Sequence, residues 1–279
     1  MYLGDSHLGG HTHVDFLVRE FDAELERIIK VHRYIVKVAA RDFDEEYERF
    51  LSMHNYEVDG YDGGDAIWDA EQTLGVNPWA VEQHLGLLSL ARALSLAEIV
   101  MARLAAACWE QPEITVFPKG KTWPRRWERE FYRTCLNVEF DPEASGMGTL
   151  RSLRDLYVHG YGVPVHEEHQ HELAAALAQH FSAEPPTQEE TNLGYEGVAS
   201  FFGPDARFDA ETGVTDDIRF GLPEANVTPL ATYRALNRIG ERVTGAATAV
   251  LSGPRNDVQS SRFVKTVSAW WQRQGGLPT

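Results

Sequence analysis

Leu85–Ala107 reads LGLLSLARALSLAEIVMARLAAA. Drawn as a helix, it is apolar on most faces, with Arg92, Glu98 and Arg103 as its only charges. A helix that is apolar nearly all round needs apolar neighbours on every side, so this segment is expected to be the central helix of a bundle. Its ends are marked as well. Asn77 is a good cap, and Pro78 takes the first helical position, where a missing N–H costs nothing. Pro112 lies beyond the end, which predicts a helix over Trp79–Glu110.

The rest of the chain is read outward from that helix. Phe16, Leu17, Phe21, Leu25, Ile28, Ile29, Val31, Ile35, Val38 and Ala39 recur near a 3.6 period. They predict a helix over Val14–Met53, capped by Thr12 or Asp15. Asn55–Asn77, rich in Gly and Asp, reads as a loop. After the loop Pro112–Thr122, the apolar marks Trp123, Trp127, Phe131 and Leu136 predict a helix over Trp123–Asn137. Asp141–Gly148 is a connector. A short helix, Thr149–His159, is stopped by Gly160, and Glu167–Phe181 is another helix. Glu184–Asn192 reads as an exposed linker. Gly194–Asn226 has no helical period and has room for short strands at Val198–Phe202 and Ile218–Leu222. Thr228 and Pro229 open a helix running to Leu251, and Asp257–Gln274 is the last. The expected fold is all-α, an up-down helical bundle with additional C-terminal helices and a short irregular or β-containing insertion. Residues 1–182 would form the bundle domain and 183–279 an extension packing on it.

Composition narrows the function. The net charge is −16 over 279 residues, which argues against a general nucleic-acid coat, because phosphate contacts need concentrated Lys and Arg. The charge is segregated. Arg41–Glu71 carries Asp42, Asp44, Glu45, Glu46, Glu48, Glu57, Asp59, Asp62, Asp65, Asp69 and Glu71 against Arg41 and Arg49. Glu113–Arg133 carries Lys119, Lys121, Arg125, Arg126, Arg129 and Arg133. Cys108 and Cys135 have no CxxC partner and read as buried free thiols of a reducing compartment. The N-terminus lacks the basic and apolar regions of a secretory signal, and no uninterrupted run reaches the ~18 apolar residues of a membrane span. A cytoplasmic protein with no membrane contact is expected.

Thr149–Gly162 reads TLRSLRDLYVHGYG and carries the most chemistry. Arg154 precedes His159 by five residues, Asp155 follows the arginine, and Gly160 follows the histidine. The spacing alone says little. The 26 lysines and arginines include 5 lysines, leaving 21 arginines; with 11 histidines, chance gives about one Arg-x4-His pair. The chain has three, the others being Arg27 with His32 and Arg49 with His54. Only the third combines a polar residue after the arginine with His-Gly at a helix end.

This helical context, with a Trp-bearing basic helix followed by LRDLYVHG, resembles the HEPN domain family and its Arg-x4-6-His motif. The likeness covers Asn77–Phe181. Asp155 stands where that family more often has asparagine. The resemblance implies a helical bundle that dimerises around the motif helices. It also implies metal-independent, cofactor-free RNase activity, commonly in toxin–antitoxin or antiviral defence. Arg154, Asp155 and His159 would be the catalytic residues. The chemistry is coherent on its own terms. Histidine moves protons near neutral pH, and arginine holds phosphate oxygens with a fork of donors. Asp155 is one helical turn before His159 and could orient its ring. Five residues turn a helix by roughly 140°, so one site built from both side chains would draw on two copies. RNA would then meet Lys119, Lys121, Arg125, Arg126 and Arg129, with Trp123 for stacking.

The plain structural alternative is equally concrete. His-Gly is an ordinary helix ending, and Arg151–Asp155 is an ordinary i,i+4 surface pair. Two competing functions stay open: a catalytically silent HEPN-like binding module with a partner protein, and a metal hydrolase. For the latter, His7, His11, His13 and Asp15 echo a His-x-His metal signature, but that signature has to follow a barrel strand. His166, Glu167, Glu168, His169 and His171 miss the four-residue His spacing of helical zinc sites. The Trp270-Trp271 pair would dock the last helix.

Overall fold

The structure, a computed structural model, describes residues 10–54, 56–107, 132, 146–160, 167–181, 185–201 and 227–252. Among these residues every regular element is an α-helix: α1 Gly10–Met53, α2 Tyr56–Asp59, α3 Gly63–Leu74, α4 Pro78–Ala107, α5 Met147–Gly160, α6 Glu167–His180, α7 Gln188–Asn192 and α8 Pro229–Ser252. The all-α expectation holds. The chain divides into two compact units, one made of Met1–Glu26, Arg92–Gly148 and Leu236–Thr279, the other of Arg27–Ala91 and Thr149–Ala235. Helices α1, α4 and α8 each contribute residues to both.

α4 is the most buried helix, as its sequence demands. Ala93, Leu94, Ala97, Met101 and Leu104 are wholly inaccessible, and Leu87 and Leu90 nearly so. Asn77 caps it as expected, its Oδ1 accepting from Trp79 N at 2.8 Å, with Pro78 in the first turn. Pro78–Leu104 is long and apolar enough to cross a membrane by length and composition, although charged residues interrupt its apolar run. More than half of that stretch, 56 %, is buried within the protein, the property of a core helix.

In the first unit, Val14, Leu17, Phe21 and Leu25 of α1 and Ile239, Val243 and Val250 of α8 are buried. The Tyr132 hydroxyl, also buried, donates to the Met101 carbonyl at 3.2 Å. In the second unit, Leu150 and Leu153 of α5 and Leu173 and Leu177 of α6 are buried, and Phe181 meets Phe201 at 5.3 Å between ring centroids.

Three local readings are corrected. Asn55–Asn77 is no simple loop, since α2 and α3 lie within it. The Asp62 carboxylate accepts from Gly64 N and Asp65 N, while Asp65 Oδ2 accepts from Asp62 N, a reciprocal capping box. Gly75, at φ 67°, ends α3 by donating to the Glu71 carbonyl, and Ala66 and Ala70 one turn apart bury its inner face. Thr12 and Asp15 are not caps of α1, which already begins at Gly10 because nothing between Gly10 and Asp15 breaks a helix.

The expected linker Glu184–Asn192 is the third correction. It holds α7, whose cap Thr187 forms a second capping box with Glu190. The Glu190 carboxylate also receives Arg234 Nε and Nη2 of α8, each at 2.8 Å. That bidentate arginine, backed by the Thr187 bonds, holds the Glu190 carboxyl down at about 2 despite its burial. The strand expected at Val198–Phe202 does not form among the described residues. Val198 O and Ser200 N are instead engaged by the Thr228 hydroxyl that opens α8, and Ser200 O accepts from Thr228 N. The partner of this stretch is thus the cap of a helix. Ile218–Leu222, Trp123–Asn137 apart from Tyr132, Asp257–Gln274, both cysteines and Trp270-Trp271 lie outside the described residues.

Two helix glycines mark close approaches of different stiffness. A Cβ on Gly86 would sit 2.7 Å from Thr232 Oγ1 and 3.3 Å from the Val227 carbonyl oxygen, a backbone atom. A Cβ on Gly240 would meet only the Leu25 Cδ2 methyl, at 2.9 Å. Gly86→Ala is expected to destabilise by about 1–2 kcal/mol, the overpacking outweighing the helix-propensity gain of about 1 kcal/mol. Gly240→Ala should be neutral within about 0.5 kcal/mol, since the Leu25 side chain can rotate away. Thermal unfolding of the two variants checks the contrast.

His32 is buried at 1 % exposure, its Nε2 meets no hydrogen-bond partner among the described residues, and burial lowers its pKa to about 4. The unfolded histidine titrates near 6.5, so the folded chain refuses a proton that the unfolded chain accepts. Stability should therefore be full above pH 6.5 and fall towards pH 4, by at most about 3 kcal/mol. Glu190 loses its contribution only below its unfolded value of 4.5, outside most of that window. Denaturant unfolding between pH 7 and pH 4 should show the loss in the wild type, and His32→Leu should flatten it.

Candidate functional site

α5 is built from a short amphipathic pattern. Met147, Leu150, Arg151 and Leu153 are buried, and Arg154 continues the same inward stripe one turn on from Leu150 and Arg151. The Arg154 side chain is only 14 % exposed. Its Nε and Nη2 both donate to Asp155 Oδ1, at 3.0 and 2.8 Å. Asp155 itself is 40 % exposed. Neighbouring residues on a helix point about 100° apart, so this contact needs the guanidinium to fold sideways across the helix surface.

His159 lies in the last turn of α5, one residue before its end at Gly160. Five residues at 1.5 Å of rise place its backbone about 7.5 Å along the axis from that of Arg154. Gly160, expected to stop the helix, is itself its last described residue.

Arg151 was read as half of an ordinary surface pair with Asp155. The structure buries it at 5 % exposure, and Asp155 engages Arg154. Two guanidinium-bearing residues thus lie on the buried face of one short helix, three positions apart. The sequence signal was available, because Arg151 falls on the Met147–Leu150 stripe at helical spacing.

The other two Arg-x4-His pairs separate cleanly from this one. His32 is buried and held neutral, which removes it as a proton shuttle at neutral pH. His54 is accessible, but its Nδ1 meets Asp59 Oδ2 at 3.2 Å and its ring stacks on Tyr61 at 4.0 Å. Its partner Arg49 turns away to Glu46 and lies over the Phe50 ring at 4.3 Å. That surface is the acidic one, unfavourable to a phosphate.

The basic residues Lys119, Lys121, Arg125, Arg126 and Arg129 lie outside the described residues, as do His7 and His166. His11, His13 and Asp15 fall within α1, so the His-x-His signature sits in a helix. Glu167, Glu168, His169 and His171 belong to the start of α6. Among the described residues no group of three or more His, Cys, Asp or Glu side chains is placed to hold a metal.

A scan of protein-family models, a search of curated proteins and a search of solved structures each return no match, so any function has to be argued from the residues of α5 themselves.

Proposed function

We propose that the chain is a metal-independent endoribonuclease of the HEPN kind, acting as a homodimer in the cytoplasm. The observation that carries the reading is the state of Arg154. It is a guanidinium held at 14 % exposure on the inward face of α5, with an acid bound to its fork and a histidine in the closing turn of the same helix. A part-buried, pre-oriented guanidinium binds phosphate oxygens more strongly than a mobile surface one, because less rotamer freedom is lost.

In the mechanism, the ribose 2′-oxygen attacks the adjacent phosphorus and its proton passes to an imidazole of His159. The P–O5′ bond breaks, and the 5′-oxygen takes a proton from the protonated His159 of the second copy. The products are a 2′,3′-cyclic phosphate and a 5′-hydroxyl. Arg154 stabilises the phosphorane through its donors. The roughly 140° between Arg154 and His159 on one helix is the reason for requiring two copies. Lys119, Lys121, Arg125, Arg126 and Arg129 would steer the RNA, and a toxin–antitoxin or antiviral defence role with a partner protein fits a nuclease that must be restrained. A second reading, a silent HEPN-like module that binds a partner protein, is favoured by the net charge of −16.

RNA cleavage by the purified protein in EDTA separates the two. The wild type should cut RNA to 2′,3′-cyclic phosphate ends, and both His159→Ala and Arg154→Ala should lose at least about a hundredfold in rate, the scale of general acid–base and charge-stabilising groups. Equal cleavage by all three proteins, or none by the wild type, would select the silent module.

A further inference from the structure

The Asp155 carboxylate lies on the Arg154 fork: its Oδ1 accepts both Nε and Nη2 of Arg154, at 3.0 and 2.8 Å. Nε and Nη2 form one edge of the guanidinium, the edge with which arginine grips a carboxylate or a phosphate. That edge therefore already carries an anion. The same neighbour-to-neighbour contact occurs between Arg41 and Asp42 on α1, but there the arginine is 61 % exposed and its charge is met by water. At Arg154 the guanidinium is largely withdrawn from solvent, so the identity of the anion on its donor edge governs its energy.

We propose that the Asp155 carboxylate is a built-in stand-in for the substrate phosphate. It is a positioning residue for Arg154 that occupies the phosphate seat in the resting protein and is displaced when RNA enters. This deepens the ribonuclease reading and rests on it. Asp155 does two opposed things. It keeps a part-buried cation paired and correctly turned while no substrate is bound, and it competes with every incoming phosphodiester for the same two N–H donors. Asp155 is 40 % exposed and can swing out into water when it yields, whereas Arg154 stays in place. A ligand without a full negative charge cannot make that exchange favourable, so the arrangement selects for phosphate over neutral groups.

The experiment is RNA binding without turnover. A fluorescein-labelled, fully 2′-O-methylated single-stranded RNA, which lacks the attacking hydroxyl, is titrated with the full-length protein in EDTA and followed by polarisation. Asp155→Asn keeps the size and an acceptor oxygen but removes the charge. It should bind roughly tenfold tighter than wild type, as expected for replacing a charge-assisted competitor by a neutral one. Arg154→Ala should bind more weakly, and Arg154→Ala with Asp155→Asn should be as weak as Arg154→Ala alone. Glu48→Gln, which removes an exposed charge of α1, should leave affinity unchanged within about twofold, the small effect of one screened surface charge. Asp155→Ser serves as a second neutral variant, and thermal unfolding shows which proteins are folded. Affinity unchanged or reduced in folded Asp155→Asn and Asp155→Ser overturns the stand-in role. So does a gain that persists without Arg154, or an equal gain in Glu48→Gln. If instead Arg154→Ala binds like wild type, the ribonuclease reading itself fails and takes the proposal with it.

Discussion

Burial of α4 is the constraint on which the rest depends. A helix carrying Leu87, Leu90, Ala93, Leu94, Ala97, Met101 and Leu104 has to turn most of its surface inward, and it leaves the stripe of His84, Leu88, Arg92 and Ser95 to solvent. Other helices must supply apolar stripes to cover it, and α1 and α8 contribute such stripes to the same two units as α4 does. The alanines and Gly86 on α4 keep its surface low, which lets neighbouring backbone come close. Thr232 and the Val227 carbonyl lie where a Gly86 side chain would be. Small residues for close approach and large ones for area are thus set out along a single helix.

Three polar groups withdrawn from solvent show how a charge is kept or given up. Glu190 is ionised because Arg234 and the Thr187 cap meet its oxygens. His32 stays neutral because burial leaves its charge unsupported. Arg154, withdrawn from solvent, carries Asp155 on its donor edge. The Arg154–Asp155 pair differs from Glu190–Arg234 in one respect that bears on function. Glu190 and Arg234 are both sheltered and join α7 to α8, a structural tie. Asp155 is 40 % exposed, and its bond to Arg154 joins neighbouring residues of α5. A carboxylate that reaches solvent gives way to a ligand at less cost than a sheltered one.

Much of the fold was legible from period and punctuation. The long helices α1, α4 and α8 and the cap at Asn77–Pro78 follow from apolar spacing over many turns, where chance coincidences average out. The short elements were not legible. α3 hides in a Gly- and Asp-rich stretch because its stability comes from two caps and two buried alanines rather than from an apolar stripe. α7 has five residues and owes its place to Arg234, which is distant in sequence. Val198–Phe202 has the composition of a strand, but what it meets is the cap of α8. In the site, the helix and the three Arg-x4-His pairs were visible in the sequence.

The sequence by itself determined that this chain is helical, that α4 is core, and that Arg154, Asp155 and His159 share one short helix, because helix periodicity and capping are local properties of neighbouring residues. Only the tertiary structure decided which arginine is buried and which histidine is accessible. It put Arg151 inside, made His32 a neutral core residue, sent Arg49 to Glu46, and turned Asp155 towards Arg154. Those outcomes depend on which face of each helix its neighbours cover, and on the cost of leaving a charge without water or a counter-ion. Both are properties of packing that no spacing rule contains.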